Sequence, residues 1–204
     1  MRRLKRPFAA AALLAGLLSL FVAPGAGAAQ PSGEPVTSVA GLTLRPAHPK
    51  QVRTGITTMA DETAYLIVSA GNEDKCLDAD LNTINGNGTR VQLWTCDEYA
   101  ANQAWYIRQI PEGYYRFQNV YSGRYLDADL NTINRNGTVI QLWDYVPGAR
   151  NQWFNVTVIP ENWLRLQNVH SGRYLDADLN TGYRNGTVVQ LWQYVAGARN
   201  QWWG

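Results

Sequence analysis

The chain has few of the side chains on which enzymatic chemistry most often depends. Its 204 residues include only two histidines and two cysteines. His48 and His170 are far apart in sequence, and neither stands near a cysteine. No pattern therefore supports a nucleophile activated by a base, or a zinc site of histidine and cysteine. We expect no catalytic residue, no metal and no cofactor.

Clustered positive charge is also missing from most of the chain. The 18 basic residues exceed the 16 acidic ones by two, which gives a formal net charge of +2. Residues 1–29 contain four basic residues and no acidic one, so without them the charge is −2. Binding to nucleic acid or to an anionic membrane would need a positive patch. We expect neither partner.

Residues 1–29 resemble a secretory signal peptide. Four basic residues precede an apolar run over residues 8–23, and small residues follow at positions 26–28. This order is typical of a cleaved signal. The alternative, an uncleaved anchor, is disfavoured because a membrane-spanning helix needs about 20 apolar residues. We expect a secreted, extracellular protein without stable membrane insertion.

A threefold repeat dominates the remainder of the sequence. The motifs Leu-Asp-Ala-Asp and Gln-Leu-Trp recur with a period of 49 residues, at Asp78, Asp127 and Asp176 and at Trp94, Trp143 and Trp192. A constant period over three copies indicates a repeat architecture. Each copy alternates apolar and polar residues as half-buried strands do, with Asn-Gly turn signals and no helical period. The pattern predicts an all-β domain over residues 63–204 with about four short strands per copy.

The two cysteines suggest a register for the central hairpin of each copy. If Cys76 lies opposite Cys96, then antiparallel pairing places Asp78 opposite Trp94. Both cysteines are replaced together in the later copies, by Tyr125 and Tyr145 and by Tyr174 and Tyr194. Such paired replacement is expected of touching positions. Two cysteines in a secreted chain most simply form one disulfide, so we expect a Cys76–Cys96 bridge.

Alternation also assigns the hairpin side chains to two faces. Leu77, Ala79 and Leu81 share the inward face, whereas Asp78 and its copies share the outward one. Leu77, Leu93 and Trp105, with their copies, are expected in the core. Because the aspartates face outward, their replacement by alanine is expected to leave the fold intact.

Residues 30–62 are rich in proline and are interpreted as a linker or N-terminal arm. Residues 54–60 are more strand-like. The third copy ends where its last strand should begin, so this segment could supply a closing strand from the other terminus. A loosely ordered arm is the open alternative.

Three Leu-Asp hairpins, each followed by Gln-Leu-Trp and a closing Gln-x-Trp, resemble the ricin-type β-trefoil lectins. This family also occurs as carbohydrate-binding modules of bacterial glycosidases. The resemblance covers residues 64–204, with Gln-x-Trp intact at residues 103–105 and 201–203 and Phe154 in place of tryptophan in the middle copy. It implies an all-β β-trefoil of three 49-residue repeats with pseudo-threefold symmetry. The family places that aromatic in the core, so Phe154 is expected to cost little.

The resemblance implies a sugar site in each copy, and therefore a non-catalytic carbohydrate-binding lectin. The implied site contains a carboxylate, a stacking aromatic and amide donors. By position, these are Asp78, Gln92, Trp94, Asn102 and Gln103; Asp127, Gln141, Trp143, Asn151 and Gln152; and Asp176, Gln190, Trp192, Asn200 and Gln201. The paired glutamines, Gln103 and its copies, are expected mainly to tie the closing loop to the backbone. The family points to galactose-type sugars or plant polysaccharides as partners, and we expect a monomer.

Other interpretations of the same residues are open alternatives. The aspartates could cap loops, and the tryptophans could be partly buried core residues. A calcium loop starting at Asp78 lacks glycine at Thr83 and has Thr89 in place of the glutamate ligand. The sequons at residues 87–89, 136–138 and 185–187 match glycosylation sites but also suit tight turns. A β-trefoil that binds proteins or inhibits a protease is the alternative function, although it would not explain three complete site sets.

Overall fold

The structure is a computed structural model that describes residues 34–35, 38–50 and 62–204. All three copies of the repeat lie within this part of the chain. Residues 1–29, the predicted signal peptide, lie outside the described residues. So do residues 54–60, the predicted closing strand. Both assignments therefore stay predictions.

The regular structure in the described part of the chain consists mainly of short antiparallel strands. There are 14 of them: β1 (Glu34–Pro35), β2 (Pro46–Ala47), β3 (Ala64–Tyr65), β4 (Val68–Ser69), β5 (Asn72–Ala79), β6 (Thr89–Thr95), β7 (Trp105–Gln109), β8 (Tyr115–Asn119), β9 (Tyr125–Ala128), β10 (Thr138–Trp143), β11 (Phe154–Ile159), β12 (Trp163–Asn168), β13 (Tyr174–Ala177) and β14 (Thr187–Trp192). The helical segments of the described ranges are the 3₁₀ turns Arg150–Gln152, Pro160–Asn162 and Arg199–Gln201. No helix there is long and apolar enough to cross a membrane.

Strands β6, β10 and β14 close a ring about a pseudo-threefold axis. Each is the third strand of its copy, and each pairs with the other two. In every pairing a threonine that begins one strand lies opposite a leucine near the end of another: Thr89 opposite Leu142, Thr138 opposite Leu191, and Thr187 opposite Leu93. The same contact made three times is the arrangement expected of a β-trefoil.

The core lies inside this ring and is built from equivalent residues of the three copies. Leu77, Leu93 and Trp105 are fully buried, as predicted. The Trp105 indole N–H donates to the Leu77 carbonyl over 3.1 Å, so the buried ring has no unsatisfied donor. Phe154 is also fully buried and packs edge-on against Phe117, with ring centroids 5.7 Å apart. A phenylalanine therefore fills the tryptophan position of the middle copy.

The register of each central hairpin differs from the prediction by two residues. Cys76 lies opposite Trp94, and Asp78 lies opposite Gln92, with equivalent pairs in the other copies. The predicted pairing of Asp78 with Trp94 is therefore wrong. Side chains alternate with a period of two, so a shift of two residues keeps each one on the same face. The hydrophobic pattern could not distinguish the two registers.

The predicted contact between the paired positions is nevertheless confirmed. Cys76 and Cys96 form a disulfide across a Cα separation of 5.0 Å. The bridge links residues 20 apart in sequence, which corresponds to about 3 kcal/mol of stabilisation in the chain-entropy model. Cys96 follows β6, and its N–H donates to the Asp74 carbonyl over 2.9 Å. The chain thereby continues beside β5 past the end of β6.

Tyrosine pairs capped by arginine replace the disulfide in copies two and three. The rings of Tyr125 and Tyr145 lie 5.7 Å apart, and the Arg116 guanidinium lies 4.8 Å from the Tyr145 ring centre. Copy three repeats this cluster with Tyr174, Tyr194 and Arg165, at 5.6 and 4.7 Å. Ring contacts and cation–π attraction contribute about 0.5–1.5 kcal/mol each. The later copies thus hold the same two positions of the hairpin together without a covalent bond.

Part of the N-terminal arm packs on the domain. Strand β2 pairs with β3, and the Leu66 N–H donates to the Arg45 carbonyl over 2.9 Å. Val39 and Leu44 are buried in the main core. Residues 38–50 therefore contribute backbone pairing and apolar contacts to a domain whose predicted start is residue 63.

Candidate functional site

Each copy brings its five candidate site residues to the outer end of the central hairpin. The aspartate lies on the second strand, the first glutamine and the tryptophan lie on the third strand, and the Asn-Gln pair lies in the closing loop. In copies two and three this loop forms the 3₁₀ turns Arg150–Gln152 and Arg199–Gln201. The grouping expected from the sequence is therefore present three times.

Three side-chain amides surround the carboxylate of Asp127. Gln141 Nε2 donates to Oδ1 over 3.1 Å, while Asn151 Nδ2 and Gln152 Nε2 donate to Oδ2 over 2.8 and 3.0 Å. The corresponding distances around Asp78 and Asp176 agree to within 0.1 Å. Hydrogen bonds to a charged acceptor are the stronger kind. The carboxylate is thus held in one orientation in all three copies.

The closing glutamine also fastens the loop to the backbone, as predicted. Gln152 Nε2 donates to the Asp144 carbonyl over 2.9 Å, and its Oε1 accepts from the Val146 N–H over 3.3 Å. Asn151 Nδ2 likewise reaches the Ala128 carbonyl over 3.0 Å. The donors of both amides are therefore engaged by protein. Asn151 Oδ1 has no protein partner among the described residues and remains an acceptor.

The aspartates are buried, although their outward-facing position had suggested that alanine could replace them without loss of the fold. Asp78 and Asp176 are 3% exposed, and Asp127 is 4% exposed. They point away from the core as predicted, but the Asn-Gln pair of the closing loop covers them. Strand alternation reports only the face of the sheet and contains no information about a loop folded over that face.

Burial changes the acidity of these aspartates. Removal from water raises the pKa of each carboxyl above its usual value, because the charged form loses hydration. The surrounding amide hydrogen bonds favour the charged form and limit this rise. Asp80, Asp129 and Asp178 add a smaller increase through like-charge repulsion.

The site tryptophans of copies one and two border open clefts. Trp94 is 43% exposed and Trp143 is 38% exposed, whereas the core residue Trp105 is fully buried. A cleft of about 850 Å³ surrounds Asp78 and Trp94, and one of about 860 Å³ surrounds Asp127 and Trp143. We call them cleft one and cleft two. A partly exposed indole therefore lies beside each buried carboxylate and offers an apolar platform to solvent, with Trp192 less exposed than the other two.

Exposed leucines form part of the clefts, which the sequence did not predict. Leu81 was assigned to the inward face but is 56% exposed, because strand β5 ends at Ala79 and the alternation stops there. Leu81 lines cleft one, and Leu130 lines cleft two. Their threefold recurrence after an aspartate was the available signal. His170, which also lines cleft two, comes from the next copy and had no local signal.

The asparagines of the three sequons link neighbouring copies. Asn87 Oδ1 accepts from the backbone N–H of Asp144, the residue after Trp143, over 2.8 Å. Asn136 binds the N–H of Gln193 over 2.9 Å, and Asn185 binds that of Thr95 over 2.8 Å. Each turn therefore holds the backbone beside the site tryptophan of the following copy.

The loop that resembles a calcium-binding sequence is held by its own hydrogen bonds. Asp80 Oδ1 accepts from the N–H and the side-chain amide of Asn82 over 3.0 and 2.8 Å. Within the described ranges, no group of three or more His, Cys, Asp or Glu side chains could hold a metal ion.

Comparisons with known proteins agree with this fold. A family model described as ricin-type beta-trefoil lectin domain-like matches residues 53–143. No curated protein matches the chain in sequence. The structure resembles ThreeFoil, a designed threefold-symmetric protein, with a TM-score of 0.62 and 26% identity over 69% of this chain and 95% of that one.

Two natural proteins of similar structure are much longer than the matching part. An exo-beta-1,3-galactanase from Clostridium thermocellum shares 27% identity over 72% of this chain, with a TM-score of 0.63, and the match spans 30% of the galactanase. The Polyporus squamosus lectin, solved with the human-type influenza-binding epitope, shares 24% identity over 69% of this chain and 47% of its own, with a TM-score of 0.58. The described domain is thus a β-trefoil, and the resemblance of the chain to the ricin-type lectins is confirmed.

Proposed function

We propose that this protein is a secreted, non-catalytic lectin that binds carbohydrate at three repeat-related sites. The matched family is a lectin domain, a class that generally binds glycans without catalysis. Secretion is supported by the signal-like residues 1–29 and by the Cys76–Cys96 disulfide. The protein acts as a monomer and needs no cofactor.

One observation carries this proposal: a buried carboxylate in fixed orientation next to an indole that is at least partly exposed, present three times. A pyranose has an apolar face of C–H groups, which an indole can cover, and a rim of hydroxyl groups. A carboxylate accepts hydrogen bonds from such hydroxyls with charge-assisted strength. The amides around Asp127 hold it in place before the sugar arrives, which lowers the entropic cost of binding.

The same geometry supports binding without chemistry. The carboxylate of Asp127 is held by three amide donors, and Asp129, the other acid of cleft two, is held by Asn131. His170 is present in this cleft, whereas the other histidine, His48, belongs to the arm. A hydrolase would need a positioned general acid and general base in at least one of the three copies. The three sites have only the carboxylate, the indole and the amides in common. This common set favours sugar binding over catalysis.

The ligand is a galactose-type sugar or a plant polysaccharide. The similarity to a galactanase supports the galactose-type class. Leu81 and Leu130 add a second apolar surface to their clefts, suited to C–H groups beyond the sugar that stacks on tryptophan.

A glycan array tests the proposal. Mature protein without residues 1–29 is applied to galactosides, galactans and xylans, and to unrelated glycans as controls. We expect binding to at least one of the first three groups. Inhibition of a protease by a folded protein that binds no glycan would instead establish the alternative function.

Sugar binding is expected to fall in mild acid before the protein unfolds. A protonated carboxyl loses acceptor strength, and burial raises the pKa of Asp78, Asp127 and Asp176. Affinity should therefore decrease as the pH falls through a range above that of an ordinary aspartate. A raised pKa in the folded state means that protonation of these groups does not itself oppose folding.

Calorimetric titration at decreasing pH, with circular dichroism of the same samples, measures both effects. The expected result is a pH interval in which the protein is folded but binds weakly. Constant affinity down to the pH of unfolding would contradict the role of these carboxylates.

A further inference from the structure

The residue before the site asparagine differs in its surroundings between copies. It is Ala101 in copy one, Arg150 in copy two and Arg199 in copy three. Arg199 Nε donates to the Ala70 carbonyl over 3.1 Å, and its Nη1 pairs with Glu161 over 3.1 Å. The Arg150 side chain makes no hydrogen bond or ion pair with any residue of the described ranges. Two arginines at equivalent positions are therefore used differently.

A substitution in the first copy explains this difference. Asn119 and Asn168 each tie the start of a turn to the closing loop of the preceding copy. Asn168 Nδ2 donates to the Asn151 carbonyl over 2.9 Å, and Asn119 Nδ2 donates to the Asn102 carbonyl over 3.0 Å. The equivalent residue at the junction of copies three and one is Ser69, which pairs with Trp203.

Ser69 is too short to make this link, and its buried hydroxyl has no hydrogen-bond partner. At this junction the Arg199 side chain connects the closing loop to the Ala70 carbonyl instead. Arg199 is therefore occupied by a structural task. Arg150 has no such task, because Asn168 already ties the closing loop of copy two to the first turn of copy three.

Arg150 is exposed and lines cleft two together with His170. Asn168 helps to position both residues. Its Nδ2 donates to the carbonyl of Asn151, the residue after Arg150, and its Oδ1 accepts from the His170 N–H over 3.2 Å. The acids of this cleft are Asp127, held by three amides, and Asp129, held by Asn131. Cleft two therefore contains an arginine whose donors are all available to a ligand.

Cleft one has the opposite character. Alanine replaces the arginine, and the charged lining residues are Asp78, Asp80, Asp97 and Arg90. Arg90 Nη2 already donates to the Gly186 carbonyl over 2.7 Å. An anionic ligand would meet three acids and an engaged arginine here, but two acids and an unengaged arginine in cleft two.

We propose that cleft two selects a sugar unit that carries an anionic group, bound by the Arg150 guanidinium beside the Asp127 and Trp143 platform. A guanidinium presents paired donors that match a carboxylate or a sulfate. The inference rests on the proposed carbohydrate-binding function. It assigns different sugars to different copies, although the three sets of Asp, Trp and Asn are the same.

The test isolates cleft two and compares matched neutral and acidic sugars. In the mature protein, Trp94→Ala and Trp192→Ala remove the platforms of the other sites. Binding of galactose, galacturonic acid and galactose 6-sulfate, and of glucose and glucuronic acid, is then measured by NMR titration. We expect about tenfold tighter binding of an acidic sugar than of its neutral partner, the size of one charge-assisted contact. The two acidic forms of galactose distinguish carboxylate from sulfate.

Two arginine variants decide the assignment. Arg150→Gln should reduce the ratio of acidic to neutral affinity to about one. Arg199→Gln, its matched control, should leave that ratio unchanged while lowering the melting temperature, because a junction contact is lost. Two results would overturn the inference but not the proposed function. One is that Arg150→Gln keeps the preference for acidic sugars. The other is that the Trp94→Ala/Trp192→Ala protein binds neutral sugars as tightly as acidic ones. Failure of the three-site protein to bind any array glycan would overturn the proposed function as well.

Discussion

Replacing Asp78, Asp127 and Asp176 together by alanine is expected to abolish glycan binding and to destabilise the fold severely. Each carboxylate accepts from three amides at a buried position. Its removal leaves those donors without their acceptor, which costs about 1–3 kcal/mol per site. Three such losses approach the whole stability of a typical domain, about 5–15 kcal/mol. This expectation reverses the one drawn from strand alternation, in which the fold survived.

Chemical denaturation of the three single variants and the triple variant measures this effect. Single replacements should each lower the free energy of unfolding and remove one site, and their losses should add because the sites are separate. Asp74→Ala is a suitable control, since Asp74 is exposed and lines neither cleft one nor cleft two. A triple variant with wild-type stability, or with wild-type binding, would show that the carboxylate assignment is wrong.

Replacing Trp94, Trp143 and Trp192 together by alanine is expected to remove retention on a polysaccharide while the protein stays folded. These rings are partly exposed, so their loss costs less stability than loss of a core ring. A single site near 1 mM corresponds to about −4 kcal/mol. Linked sites can raise avidity by about 10²–10⁴ without new contacts.

The single variant Trp143→Ala gives the more specific result. Monosaccharide binding should persist at the other two sites, but retention in affinity electrophoresis on a polymer should fall sharply. Tyr99→Ala removes an exposed aromatic that lines neither cleft one nor cleft two and provides the control. Equal retention of Trp143→Ala and the native protein would mean that the sites do not act together.

The period of 49 residues was sufficient to predict the architecture. Residues that recur with the strand period must share a face, so Leu77, Leu93 and Trp105 could be assigned to the core. The joint replacement of Cys76 and Cys96 by tyrosines likewise indicated a contact, which the disulfide and the ring pairs confirm. These inferences depend on local periodicity and on comparison of copies, and both are present in one sequence.

Features that depend on loops and neighbouring copies could not be obtained in this way. The burial of Asp127 results from a closing loop 24 residues later, whose Asn151 covers the carboxylate. The two-residue error in register arose because alternation is unchanged by an even shift. Leu81 was misplaced because the strand ends two residues earlier than its pattern.

The sequence by itself determined that this protein is a threefold repeat of β-hairpins and which residue types recur at each candidate site. Periodicity encodes which face a side chain occupies, and three copies make that signal unambiguous. Only the tertiary structure decided that Arg150 faces a cleft while Arg199 supports a junction. That difference originates at Ser69, 130 residues before Arg199, and arises because the chain returns to the same place in space.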